Sequence, residues 1–284
     1  MEHLSLLDIF ASYKAWKADD ATWFINFMDG SENMYLLEGS EKALLVDTGY
    51  GSGTLRAFVE TLTDKPLLVA NTHYHPDHAG GNGEWPGVYL HENWRADAAA
   101  LSAGENQPFD LSRLPYPDYE KLPLKDGDKI ELGGRTVEVL DCRAHSNSSL
   151  VFLDRGHRLL LCGDELEAGQ VLLYDLSRAQ DPGYDFKARL LAHRANMRRL
   201  KELAGEYDWV LPNHNGFPIA KSYVDDFIAL ADAIFDGTAQ VEDALHHKYI
   251  EMDPVSKELC RVKYGLASFF VKKAQLMDIY GKGE

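Results

Sequence analysis

Leu67-Leu68-Val69-Ala70-Asn71-Thr72-His73-Tyr74-His75-Pro76-Asp77-His78-Ala79-Gly80-Gly81 is the stretch on which the reading of this chain turns. The apolar run 67–70, bounded upstream by Pro66, reads as a short buried strand. At the end of such a strand, alternation points His73 and His75 the same way. Pro76 has no N–H to give a ladder and stops the strand, so Asp77 and His78 are offered from a turn beside the two histidines. Ala79, Gly80 and Gly81 leave room for backbone to approach whatever those side chains hold. Three imidazoles and a carboxylate crowded into residues 73–78 need a compensating charge. One or two borderline-soft divalent ions suit that donor set better than any other ligand.

Length and composition bound the rest. The chain has 284 residues, of which 45% are hydrophobic and 26% charged, enough for a globular protein with a sizeable core. No apolar run approaches the roughly 18 residues a membrane helix needs. The start, Met1-Glu2-His3-Leu4-Ser5, lacks the basic and apolar regions of a signal peptide, so a cytoplasmic protein is expected. Cys142, Cys162 and Cys260 are too scattered for a disulfide framework or a Cys-rich zinc site. The net charge of −16 repels phosphate backbones and anionic membranes, which weighs against a nuclease. The expected partner is a small-molecule substrate, with neither nucleic acid nor membrane; a homodimer stays open.

Along the chain, residues 1–20 have no clean period and suggest a short helix or arm. Residues 23–28 look strand-like, and 34–37 with 43–46 form a hairpin about Glu38-Gly39-Ser40-Glu41, ending in Asp47-Thr48-Gly49. Helices are expected over 54–63 and 92–102, and a Pro-rich irregular connection over 103–123. Gly133-Gly134 centres one hairpin and Asp154-Arg155-Gly156-His157 a second. Phe186, Leu190, His193, Met197 and Leu200 fall on one helical stripe, on which His193 is expected to be a core residue. Residues 209–211 read as a strand, Tyr223 to Ile234 as a last long helix, 241–247 as a short helical piece and 268–271 as a strand. His91 is read as opening a helix, and His3, His157, His246 and His247 as ordinary surface residues. One α/β domain with covered sheets is the economical organisation.

Three further candidates sit in polar turns after apolar strands: His145 after 136–141, Asp164 after 159–162 and His214 after 209–211. A ligand there is held rigidly yet stays open to water. Taken in this order after His-x-His-x-Asp-His, the chain resembles the metallo-β-lactamase superfamily of metal-dependent hydrolases over about residues 33–216.

That resemblance implies a four-layer αβ/βα sandwich with mixed sheets covered by helices. It implies one domain over 1–284, with a core from about 20 to 236 and a C-terminal extension over 237–284. His73, His75 and His145 would hold one metal; Asp77, His78 and His214 would hold a second, with Asp164 bridging. Asp47 would support the ligand loop, since ligand imidazoles need acceptors behind them. Two divalent ions, zinc first and iron or manganese as alternatives, would share a water and lower its pKa toward neutrality. The hydroxide would attack an ester, thioester, lactone or related bond, with Asp77 orienting it or receiving its proton. An iron-dependent persulfide dioxygenase is the alternative, and a phosphodiesterase or nuclease a more distant one. The chain departs from the family at Ala144 before the third histidine, at Asn213 and Asn215 around His214, and at Glu167, where homoserine-lactone lactonases carry tyrosine. The basic residues by which hydroxyacylglutathione hydrolases hold glutathione have no clear match. Trp23, Tyr50, Trp85, Tyr174 and Tyr184 are candidates to line a pocket, with ordinary packing the expected role of each.

Overall fold

A computed structural model describes residues 13–27, 32–51, 54–102, 119–173, 184–243 and 258–280. Seven strands make the first sheet, in the order β1 (Tyr13–Asp19), β2 (Thr22–Phe27), β3 (Asn33–Glu38), β4 (Ala43–Val46), β5 (Leu67–Ala70), β6 (Gly87–His91) and β7 (Glu120–Leu124). β1 to β4 run as an antiparallel meander, and β4 to β7 are parallel. The second sheet has β8 (Lys129–Glu131), β9 (Thr136–Asp141), β10 (Leu150–Asp154), β11 (Leu159–Gly163) and β13 (Trp209–Pro212), in the order β13-β11-β10-β9-β8. β12 (Val171–Leu172), β14 (Gln240–Asp243), β15 (Leu259–Tyr264) and β16 (Ala267–Lys272) make a smaller third sheet.

Alternation along the strands buries both faces of each large sheet. Tyr35, Leu37, Leu44 and Val46 meet Val137, Val139, Phe152 and Leu161 between the sheets. The opposite face of the first sheet packs Leu36, Leu45 and Val69 on helix α1 (Leu55–Val59). The outer face of the second packs Val151, Leu153 and Leu160 on Leu190, Met197 and Leu200 of α4 (Phe186–Glu202) and on Phe227 and Leu230 of α5 (Ser222–Phe235). Two further helices, α2 (Pro76–Ala79) and α3 (Trp94–Ser102), lie between β5 and β7 in the chain. The layers run helix, sheet, sheet, helix. At about 25 cal/mol per Å² of apolar surface removed from water, such two-sided burial is the main stabilising force. Residues 259–276 belong to the same apolar cluster as α4 and α5, through Cys260, Val262, Phe269, Val271 and Leu276. No helix among the described residues is long and apolar enough to cross a membrane.

Two close contacts fix how the sheets meet. At one end the β3–β4 turn lies on the β8–β9 turn, where Ser40 N donates to Gly133 O and Glu41 N to Leu132 O. A Cβ at Gly39 would stand 2.1 Å from Leu132 O, so only glycine allows that approach. Arg135 is buried there, donating to Asp154 Oδ2 at 2.6 Å, to Ala21 O at 2.6 Å and to Thr22 Oγ1 at 2.9 Å. At the other end Leu150 N donates to Thr72 O at 2.7 Å, and Asn33 N to Asn213 O at 2.8 Å.

Several expectations give way. Residues 13–19 are strand β1, an edge strand defined by its partner β2 rather than by its own period. Residues 120–124 are edge strand β7, where Pro123 is tolerated because an edge has one unpaired side; 103–118 lie outside the described residues. His91 ends β6, and the helix begins at Trp94. Within the expected helix over 241–247, residues 241–243 belong to β14, paired antiparallel with β15; 244–247 lie outside the described residues. β15 and the helix α6 (Lys273–Ile279) carry no distinct sequence signal. His3, His246, His247 and Tyr174 also fall outside the described residues.

Candidate metal centre

Strand direction explains the convergence. β4 and β5 are parallel, so Asp47 and residues 71–78 leave the first sheet at the same edge. β9 and β11 both run antiparallel to β10, and β13 runs parallel to β11. His145, Asp164 and His214 therefore leave the second sheet at one edge too. Pro76 does not stop the strand, since β5 already ends at Ala70; it is instead the first residue of the single helical turn α2, where a missing N–H costs nothing, and that turn presents Asp77 and His78.

His73 Nε2 lies 2.9 Å from His75 Nδ1, which lies 3.0 Å from His145 Nε2. His214 Nε2 lies 3.2 Å from His78 Nε2 and 3.3 Å from Asp77 Oδ2. Asp164 stands between the two groups, with Oδ2 3.7 Å from His145 Nε2 and 3.6 Å from His214 Nε2, and Oδ1 3.4 Å from His78 Nε2. The donor atoms of His73, His75 and His145, of His73, His78 and Asp164, and of Asp77, His78 and His214 lie, within each set, no more than 4.8 Å apart. Asp164 Oδ1 is buried and accepts no well-formed hydrogen bond. A buried carboxylate oxygen with no well-formed hydrogen bond, ringed by imidazole nitrogens, fits a divalent cation.

Behind the donors lies a layer of acceptors. Asp47 takes Thr72 N at 2.8 Å, Thr72 Oγ1 at 2.7 Å, Asn213 Nδ2 at 2.6 Å and His78 Nδ1 at 3.0 Å. It does so from a left-handed backbone (φ 66°) that aspartate tolerates better than most residues. Thr72 Oγ1 also faces His73 Nδ1 at 3.1 Å. Glu165 Oε1 accepts from Ala144 N and His145 N at 2.8 and 2.7 Å, and His145 Nδ1 donates to Leu172 O at 2.8 Å. Gly163 lets β11 close on the ligand loop, since a Cβ there would meet Thr72 Cβ at 2.7 Å.

The electrostatics divide the cluster in two. Burial holds the His73 and His75 rings neutral and brings His145 down to about 4, with neighbouring imidazoles adding to the effect on His73 and His145. Burial opposes charge on His78 and His214 as well, but Asp164 and Asp77 outweigh it. They hold His78 well above the usual imidazole range and push His214 up to about 10. Asp77, despite its burial, is drawn down to about 2 by His78 and His214, and Asp164 falls well below the carboxylate range beside the same rings. Two flanking acids go the other way. Burial, reinforced by Asp77, raises Glu32 to about 8; burial, reinforced by Asp164, raises Glu167 well above its ordinary value. Negative charge in the cleft is concentrated on Asp77 and Asp164.

All eight sequence-derived residues (Asp47, His73, His75, Asp77, His78, His145, Asp164 and His214) thus come together. Sequence reasoning missed Thr72, Asn213, Glu165 and Leu172, whose roles rest on long-range hydrogen bonds without a local pattern; the carboxylate next to Asp164 was the one available signal. His193 is buried, with Nε2 donating to Glu165 O at 2.8 Å, as its place on the apolar stripe predicts. Trp23 and Trp85 pack with the outer cluster of the first sheet.

The metallo-beta-lactamase superfamily model matches residues 28–214. Acyl-coenzyme A thioesterase MBLAC2 of Homo sapiens is 31% identical over 214 residues, covering 64% of this chain and 72% of that protein. Hydroxyacylglutathione hydrolase of Gloeobacter violaceus is 30% identical over 173 residues, covering 60% of this chain and 57% of that protein. The solved metallo-beta-lactamase from Pontibacter korlensis superposes with a TM-score of 0.57 at 19% identity, over 78% of this chain and 99% of that one.

Proposed function

The chain belongs to the metallo-β-lactamase superfamily of metal-dependent hydrolases, and from that premise we propose that it cleaves thioesters of small acyl compounds at a two-ion centre. His73, His75 and His145 would hold the first ion and Asp77, His78 and His214 the second, with Asp164 placed between the two groups. The carrying observation is the pair of donor groups sharing Asp164 between them at one edge of the sandwich. The bond class is supported by two relatives, acyl-coenzyme A thioesterase MBLAC2 and hydroxyacylglutathione hydrolase, whose names share a thioester. An imidazole-rich set with two carboxylates suits zinc. A single domain over the described residues is supported by the apolar cluster that residues 259–276 share with α4 and α5.

When bound, such ions supply Lewis acidity toward a carbonyl oxygen and acidify water. The protein's own part is positional and protonic. Asp77 is kept ionised, with one oxygen 3.3 Å from His214 Nε2, placed to orient an attacking water and accept its proton. Asp47 and Leu172 O fix the rings of His78 and His145 so that their Nε2 lone pairs face the pocket. Water adds to the thioester carbonyl carbon, the C–S bond breaks, and a carboxylate and a thiol leave.

The test is thiol release from acyl-coenzyme A and acyl-glutathione substrates beside lactones, β-lactams and phosphodiesters, with metal content measured on the same sample. About two zinc per chain and preference for thioesters are expected. Faster turnover of another class, or one iron and no zinc, refutes the reading. Asp77→Ala is expected to fold and take up less metal while losing at least about a hundredfold in rate; near-full activity refutes Asp77 as the proton acceptor.

A further inference from the structure

The histidines of the two donor groups are not supported alike. His73 is braced by Thr72, its neighbour in the chain, and His78 by Asp47 at the end of the adjacent strand. His145 is braced by a carbonyl 27 residues away, Leu172 O, in a strand of only two residues. A carbonyl can only accept, so it fixes the proton on Nδ1 and leaves Nε2 as the lone pair facing His75 and Asp164.

β12 cannot hold that carbonyl in place by itself. Its one strand partner among the described residues is β16, paired in parallel through Val171 with Phe269 and Leu172 with Phe270. Leu173 N donates to Phe270 O at 3.0 Å. The turn leading into β12 is tied to the same hairpin: Gly169 O accepts from Ser268 Oγ and, at 3.2 Å, from Arg261 Nη2, while Arg261 Nε donates to Ser268 Oγ at 2.9 Å. Val171 packs in the cluster that holds Phe269 and Val271, and Leu172 lies against Leu259 and Phe270. The hairpin itself is anchored to α5 through Val262 and Phe269 beside Phe227 and Leu230.

We infer that the hairpin Leu259–Lys272 is a positioning element for the first ion, acting through β12 and the Leu172 carbonyl on the His145 ring. Arg261 and Ser268 are its positioning residues. The inference rests on the reading of His73, His75 and His145 as ligands to one ion.

The test uses the full chain carrying Arg261→Ala and Ser268→Ala together. Cobalt(II) uptake under chelator competition reads each ion's affinity, and the His145 Nδ1 proton is followed by NMR on metal-free protein with nitrogen-labelled histidine. One ion is expected to keep its wild-type affinity while the other weakens about 10–100-fold, with faster solvent exchange of the Nδ1 proton. Ser268→Thr, which keeps the hydroxyl, should stay close to wild type. Lys263→Ala, which breaks only the ion pair to Glu242 on the far strand of that sheet, should change neither ion. If the double variant does not fold, Ser268→Ala alone is expected to show the same asymmetry. Unchanged affinities with an unchanged Nδ1 proton overturn the inference, as does equal weakening of both ions. A wild-type chain that takes up two ions beside an unaffected variant sinks this inference alone. A wild-type chain that takes up none sinks the ligand reading, and this inference with it.

Discussion

Replacing Asp47 by asparagine changes one atom's chemistry and tests the support beneath the ligands. The amide can keep its oxygen on Thr72 N, which Oδ1 now accepts at 2.8 Å. Its nitrogen then stands where Oδ2 accepts Asn213 Nδ2 at 2.6 Å and His78 Nδ1 at 3.0 Å, so two N–H donors meet a third. The Thr72 hydroxyl can rotate away; those two donors cannot. Each orphaned buried donor costs about 1–3 kcal/mol, which sets an upper bound near 2–6 kcal/mol because neighbours in one network do not add. With a cation present, His78 can escape only by moving its proton to Nε2, and that removes the lone pair facing Asp77 and Asp164. The expected result is a metal-free protein destabilised by several kcal/mol in urea unfolding, and one ion bound about 10–100-fold more weakly under chelator competition. A loss below about 1 kcal/mol together with unchanged affinity refutes the role given to Asp47.

Three other outcomes follow from the geometry. Metal uptake near neutral pH should release about two protons, those on His78 and His214, into a weakly buffered solution; uptake without release refutes the charge division. Since both rings have raised folded-state pKa values, their stabilising contribution is complete below the unfolded value of about 6.5 and is lost as pH rises. The metal-free chain should therefore weaken from there up to about pH 10, the value for His214, in urea titrations run across that window. Arg135→Met leaves Asp154 charged, buried and stripped of its cation, so unfolding free energy should fall by about 3–5 kcal/mol. Adding Asp154→Leu should recover much of that loss, and activity per folded molecule should stay near wild type because the pair sits at the end of the sandwich away from the histidines.

The donors were legible because they bunch. His73, His75, Asp77 and His78 lie within six residues of chain, a grouping that no core or loop would collect by chance, and each later donor sits in the turn that follows an apolar run. The long helices were legible because Phe186 to Leu200 and Tyr223 to Ile234 each draw an unbroken stripe. What stayed hidden is what pairing decides. β1 shows a mostly exposed face and earns its conformation from β2 alone. β14 reads as helical until β15, twenty residues on, supplies its ladder. The acceptors behind the imidazoles were hidden for the same reason: a leucine carbonyl has no letter of its own, and Asn213 looks like any turn residue until Asp47 stands 2.6 Å away.

His73, His75, Asp77 and His78 hang from one slab of the sandwich, His145, Asp164 and His214 from the other. Cations gripped from both sides would act as rivets across a seam whose far end is closed by Arg135 and two touching turns. A slip of one slab against the other by the width of a single atom would open the grip while leaving each slab intact. Loss of metal should thus be the earliest sign of strain anywhere in the molecule, well before any spectroscopic trace of unfolding.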